Sequence, residues 1–223
     1  FPTRRSSDLE LQYANNFAVD YCANGCKIIT DGAGQKFLWV PEGGEAPDDT
    51  GDMTVLQAPL TKLGCFSTTH ATLFHAIGAL DKVSLVTTDK DKWHIEQVAQ
   101  QIEDGTTTYV GKNSAPDYEL ISAAAPQIIL ISANTMHGSD EVLAKLDELG
   151  IPYIADSQRL ENHPLGRVEW VKLVGALLDM EEEADAYFDE EVQRVNAVAE
   201  SVAGESEHPT ILQTYIFKGT VYV

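Results

Sequence analysis

Six histidines and three cysteines are the residues best equipped for chemistry in this chain of 223 residues. His70 and His75 stand five apart, so one helix face would not carry both rings as it does for metal ligands four apart. Neither H-E-x-x-H nor C-x2-C occurs, and Cys22, Cys26 and Cys65 are too few for a four-cysteine zinc site. The nucleophile motif G-x-S-x-G is also absent, and serines, histidines and aspartates are scattered. Asp89, Asp91 and Asp156 could converge on a reacting group, but nothing in their spacing draws them together. No catalytic arrangement is visible in these spacings, and the histidines offer only weak support for a zinc-binding receptor or a metal-dependent hydrolase of α/β fold. His137, in "SANTMHGSD", is the histidine that follows a strand end, where a ligand would be met; a plain loop histidine is the competing reading.

Donor groups at strand ends are better candidates. Ser67, Thr68, Thr69 and His70 lie where a strand gives way to a helix. Their hydroxyls and the first N–H groups of that helix can face anionic or oxygen-rich ligands, with simple capping as the competing role. Thr87 and Thr88 resemble them more weakly. Lys112, in "GKNSAPDY", can meet a carboxylate or catecholate oxygen. Thr135 and Met136 precede His137, and Met136 suits an apolar rim. Trp93 and Tyr118 offer flat faces for stacking, although core packing is the commoner fate of either. Arg159 and Arg167 flank a later helix, and Arg167 could pair structurally with Glu161 or Glu169.

These residues need a scaffold, and the hydrophobic pattern supplies one. Residues 10–52 read as short antiparallel hairpins and an acidic linker. Asn24-Gly25 is a hairpin signal, and "DGAGQK" is a second turn rather than a dinucleotide loop, because a strand follows it. Residues 53–163 alternate strands ("TVLQAP", "KLGCF", "VSLVTT", "TTTYVG", "PQIILIS", "IPYIAD") with helices. Ser67 is the expected cap of the first helix, whose Leu73, Phe74 and Ile77 share a face; Pro116 opens a later one and Gly150 stops another. Repeated strand–helix units predict a parallel sheet covered on both faces, with ligands at the strands' carboxyl ends. Residues 164–204 predict about 40 residues of helix in two pieces, the second with Ala184, Phe188, Val192, Val195, Val198 and Val202 in register. Residues 205–223 begin a new lobe with a hairpin, and residues 1–9, "FPTRRSSDL", read as translated adapter sequence.

Composition excludes some partners. The net charge is −20 and the pI about 4.4, which argues against nucleic acid and against anionic lipid. No stretch approaches the ~20 apolar residues of a membrane span. Cys22 and Cys26 flank the hairpin tip, where two free thiols are preferred to a cross-strand disulfide.

The segments "FSTTHATLFHAIGALDKV", "VGKNSAPDYELISAAAPQIILIS", "LAKLDELGIPYIAD" and "HPLGRVEWVKLVGALLDMEEEADAYF" occur in an order that resembles the substrate-binding proteins of iron-siderophore and cobalamin ABC importers. The likeness covers roughly Tyr13 to Val223, and no single motif in it is diagnostic. It implies a fold of two α/β lobes bridged by a long helix, of which this chain holds the first lobe, the linker and the start of the second. It further implies a monomeric, extracytoplasmic receptor, lipid-anchored or periplasmic, that passes a metal chelate (siderophore, haem or corrinoid) to a membrane permease and needs no cofactor. The ligand would meet Ser67, Thr68, Thr69, Lys112, Thr135, Met136 and His137. Glu119, in "APDYEL", matches the family's acidic docking position for permease arginines. A solvated first-turn glutamate is the competing reading.

Overall fold

The computed structural model describes residues 5–132, 139–206, 210, 214–217 and 220–222. Its elements run in chain order as five strands, β1 (Arg5–Asp8), β2 (Ala18–Cys22), β3 (Lys27–Thr30), β4 (Lys36–Val40) and β5 (Thr54–Gln57). There follow β6 (Leu63–Cys65), α1 (Thr68–Ala76), β7 (Val83–Val86), α2 (Glu96–Glu103), β8 (Thr108–Tyr109), β9 (Gly111–Lys112), β10 (Ala115–Pro116), α3 (Tyr118–Ala124), β11 (Ile128–Ser132), α4 (Ser139–Glu148) and β12 (Tyr153–Asp156). The chain continues through α5 (Pro164–Glu169), α6 (Val171–Leu178), α7 (Glu181–Val202), β13 (Tyr215–Phe217) and β14 (Thr220–Tyr222).

The first five strands form one sheet in chain order. Its β2–β3 hairpin turns at Gly25, whose φ of +81° is the left-handed conformation that the Asn-Gly signal predicts. β1 pairs with β2, so Arg5–Asp8 of the segment read as adapter lies at a sheet edge. β5 departs from the sequence expectation. "TVLQ" was expected to open the α/β region, yet it runs parallel to β4, with Phe37 opposite Thr54 and Val40 opposite Gln57. A strand's pattern records which residues are apolar and not which neighbour it joins, so this choice was open at the sequence level.

The second sheet is parallel throughout, in the order β12-β11-β6-β7-β8. β6, β7, β11 and β12 are almost wholly buried, as a sheet covered on both faces requires. "TTTYVG" is split: only Thr108–Tyr109 joins the sheet, while β9 turns away to pair with β10. One apolar cluster runs from Phe17 and from Ile29 and Trp39 of the small sheet through Leu63 and Phe74 to Trp170, Leu177 and Phe188, so the small sheet and the helices share a core with the α/β layer.

The helical segment falls into three pieces. His163 caps α5 by accepting the Leu165 N–H, and Pro164 occupies the first helical position. α6 is separated from α7 at Asp179, which is left-handed with φ +59°. Within α7 only the first half of the expected register is covered. Ala184 and Phe188 are fully buried, whereas Val195, Val198 and Val202 are 45%, 67% and 54% exposed.

Three buried ionic residues fasten these layers. Glu169 accepts the N–H groups of Gln12, Tyr13 and Ala14 at 2.8 Å, and Glu161 accepts those of Asn15 and Asn16 at 3.0 Å and the Trp170 indole N–H at 3.0 Å. Arg167 makes no ion pair with either glutamate; both carboxylates hold this loop, and Glu169 also faces Lys172. Lys27 of β3 reaches the end of α6, donating to the Ala176 carbonyl at 2.9 Å and pairing with Asp179 and Glu181. Its ammonium also lies 4.0 Å from the centre of the Trp39 ring, and the Trp39 indole donates to the Leu177 carbonyl.

Candidate ligand-binding site

The carboxyl ends of β6, β11 and β12 meet the β9–β10 turn around a cavity of about 390 Å³. Its lining is polar: Ser67, Thr69, Asn113, Ser132, Asp156, Gln158, Arg159 and Arg167. Ser67 arrives from β6 in an extended conformation, and its hydroxyl accepts the Thr69 N–H and shares a 2.7 Å contact with the Thr69 hydroxyl. The cap that the sequence suggested is thus made, and the same two hydroxyls face the cavity. Arg159 sits on the 3-10 turn that follows β12, Arg167 in the last turn of α5, and both are exposed.

Beneath the cavity lies a cluster that sequence reasoning missed. The His70 ring is fully buried, with Nε2 3.0 Å from Asp156 Oδ2 and 3.3 Å from Ser132 Oγ. Asp156 also accepts the Gln158 N–H at 2.6 Å and its side-chain amide at 2.5 Å. Serine, histidine and aspartate are therefore together, but not as an acyl-transfer triad. That chemistry needs the two ring nitrogens to bridge nucleophile and acid. Here one nitrogen faces both, and Nδ1 is buried with no partner among the described residues. The cluster ties α1 to the ends of β11 and β12. Residues 70, 132 and 156 carry no local signal of this meeting, since only the parallel register brings their strand ends level.

A second device fixes the β12 end from outside. Asp31, in the turn of "DGAGQK", accepts the Ala33 and Gln35 N–H groups through Oδ1 and the Ala155 N–H, at 2.8 Å, through Oδ2. The Gly32 N–H donates to the Ala155 carbonyl at 3.0 Å. A Cβ at Gly32 would come 2.8 Å from that carbonyl oxygen, so the close approach needs glycine. Burial pushes the Asp31 carboxyl upward, against the pull of its backbone donors.

The other sequence candidates are placed unevenly. Thr68 is exposed in the first turn of α1, and Lys112 is exposed on β9, next to the cavity-lining Asn113. Thr135, Met136 and His137 lie outside the described residues. Glu119 is exposed in the first turn of α3, one residue past Tyr118, and its N–H is held by the Asp117 cap. Trp93 donates to the Thr88 carbonyl and packs on the main core, and Tyr118 packs on the second apolar cluster, so neither is a free stacking platform. Asp89 caps a 3-10 turn by accepting the Asp91 N–H, and Asp156 instead pairs with His70. Among the described residues no three His, Cys, Asp or Glu side chains form a group that could hold a metal ion. No helix among them is long and apolar enough to cross a membrane.

The pattern of the family described as periplasmic binding protein matches residues 65–223, which take in the parallel sheet, the cavity and α7. This chain belongs to the periplasmic binding protein family. An uncharacterized lipoprotein of Methanocaldococcus jannaschii is 34% identical over 175 residues, 73% of this chain and 41% of that protein. The chain thus spans less than half the length of that relative. Among solved structures of binding proteins, the Haemophilus influenzae molybdate-binding protein MolA, bound to molybdate, aligns with a TM-score of 0.55 at 11% identity, covering 79% of this chain and 54% of that one. The siderophore-binding protein BauB, bound to two acinetobactin molecules and ferric iron, aligns with a TM-score of 0.51 at 18% identity, covering 67% and 51%. At these identities the likeness is one of fold.

Proposed function

We propose that this chain is the first lobe and linker of an extracytoplasmic solute receptor that captures an anionic metal chelate and delivers it to an ABC permease. The observation that carries this reading is the cavity at the strand ends, where Arg159 and Arg167 stand beside the hydroxyls of Ser67 and Thr69 and the side chain of Asn113. Guanidinium groups bind carboxylate and catecholate oxygens in pairs, and hydroxyls and amides complete the shell of an oxygen-rich ligand. Thr68, Lys112, Thr135, Met136 and His137 would add to the rim of the same site. Glu119, on a different helix, would meet a permease arginine. The ferric siderophore held by BauB supports the chelate class. Molybdate, the ligand of MolA, supports a second reading, a small tetrahedral oxyanion. The presence of two guanidinium groups, two hydroxyls and an amide around the cavity suits the larger, oxygen-rich chelate.

Calorimetric titration with a ferric catecholate, ferric citrate, haem, cobalamin and molybdate tests this reading. Binding of one iron chelate is expected, weakened at least about tenfold by Arg167→Ala, which corresponds to about 1.4 kcal/mol. Binding of molybdate alone would favour the oxyanion. Chelate binding indifferent to both Arg159→Ala and Arg167→Ala would place the site elsewhere.

A further inference from the structure

The β2–β3 hairpin carries two of the three cysteines on facing strands. The Cys22 N–H donates to the Cys26 carbonyl at 2.9 Å, and one step along the ladder Tyr21 opposes Lys27. Hydrogen-bonded antiparallel pairs hold their Cα atoms about 5.5 Å apart, within the span of about 4.4–6.8 Å that a disulfide bridges. Both side chains are buried in one small cluster with Leu38 and Val40, so they leave the hairpin on the same face. Both are thiols in this structure. Cys22, 5% exposed, is among the residues lining a cavity of about 710 Å³ between the small sheet and the β12 edge. Cys65, by contrast, is buried in the main core.

We propose that Cys22 and Cys26 are a redox pair that closes to a disulfide in the exported protein and staples the hairpin bearing Lys27. The compartment rests on the receptor reading above; the geometry does not. The oxidant is an external disulfide, R–S–S–R. The Cys22 thiolate attacks one of its sulfurs and releases R–S⁻, which takes up the proton Cys22 has lost. Cys26, deprotonated in turn, attacks the Cys22 sulfur of the mixed disulfide and expels the second R–S⁻, which takes that proton. The cysteines lose two electrons and two protons in all, and the oxidant becomes two thiols. Burial holds the Cys26 thiol above its ordinary value, which makes the second step the slow one. The bond fixes a short loop next to Lys27, whose ammonium holds the α6–α7 junction.

The test equilibrates the purified chain in graded mixtures of reduced and oxidised glutathione, quenches with acid, unfolds, alkylates and measures mass. Two alkyl groups are expected to disappear together, with Cys65 still alkylated. The oxidised chain should melt roughly 4–8 °C higher, and Cys22→Ser and Cys26→Ser should each abolish that rise. Three alkyl groups at every ratio, or a lasting glutathione adduct on Cys22, would overturn the pair. A second arm alkylates the chain at harvest, once retained in the cytoplasm and once secreted behind an added export signal. Oxidation in the secreted sample alone is expected. A pair that closes with glutathione yet stays reduced in both samples would overturn the exported staple while leaving the ligand titrations above untouched.

Discussion

Lys27 and Arg167 are both cations near the C-terminal turn of a helix, and the chain treats them oppositely. Lys27 is 4% exposed and is answered by a carbonyl, two carboxylates and an indole ring. Arg167 is exposed, makes no ion pair among the described residues and lines a polar cavity. The same contrast separates Glu169, buried under three backbone N–H groups, from Glu119, open to solvent at the start of α3. A buried charge must be satisfied internally, so its partners record what it fastens. An exposed charge at a cavity or helix rim costs the fold little and keeps its valence for a ligand. The region around α6 and the small sheet is accordingly read as fastening, and the strand-end cavity is the proposed place of binding.

The sharpest way to break that comparison is Glu169→Ala. It strips three backbone donors of their acceptor and takes from Lys172 one of its two carboxylate partners. A loss of about 3–5 kcal/mol is expected in urea denaturation. Lys27→Met should cost less, about 1.5–3 kcal/mol, because Asp179 remains solvated when its partner leaves. Hydrogen exchange should then quicken around residues 176–181. If Lys27→Met left both unchanged, its satisfied contacts would not be fastening anything.

A smaller effect is expected from Asp31. Its folded carboxyl is raised by burial, so the native state keeps a proton that the unfolded chain has already released. Its contribution to stability is therefore greatest below the ordinary carboxylate value and falls as pH rises toward the raised one. Asp31→Asn should lower stability, by placing a donor among backbone N–H groups, and flatten that part of the pH profile. A slope unchanged by Asp31→Asn would assign it to other acids. The smallest change in stability, within about 0.5 kcal/mol, is expected from Arg167→Ala and from Glu119→Arg, both at exposed positions. Their effects should appear in function instead: chelate affinity for Arg167, and transport with affinity intact for Glu119. A large stability loss in either would move it to the fastening side.

Local signals in the sequence were legible where one turn or one face decides the conformation. Asn24-Gly25 adopts the expected hairpin, Ser67 makes its cap, Leu73 and Phe74 are buried together, and Gly150 ends α4 with φ +65°. The strand-end rule also located the cavity, because Ser67, Ser132 and Asp156 end their strands there. The possible pairing of Arg167 with Glu161 or Glu169 is not made, and of the α7 register only the first half is buried, Val195, Val198 and Val202 being exposed.

The sequence by itself determined the order of strands and helices, the caps and turns, and the set of strand ends at which a ligand could bind. Each of those follows from contacts within a few residues, and such contacts survive without knowledge of the rest of the chain. Tertiary structure decided which sheet β5 joins, that His70 meets Asp156 and Ser132, and that Glu161 and Glu169 hold residues 12–16. It also decided that Lys27 and Glu169 are buried among partners while Arg167 and Glu119 stay exposed. Those outcomes depend on partners tens to more than a hundred residues away, brought level by parallel register and core packing, and no periodicity in the sequence encodes them.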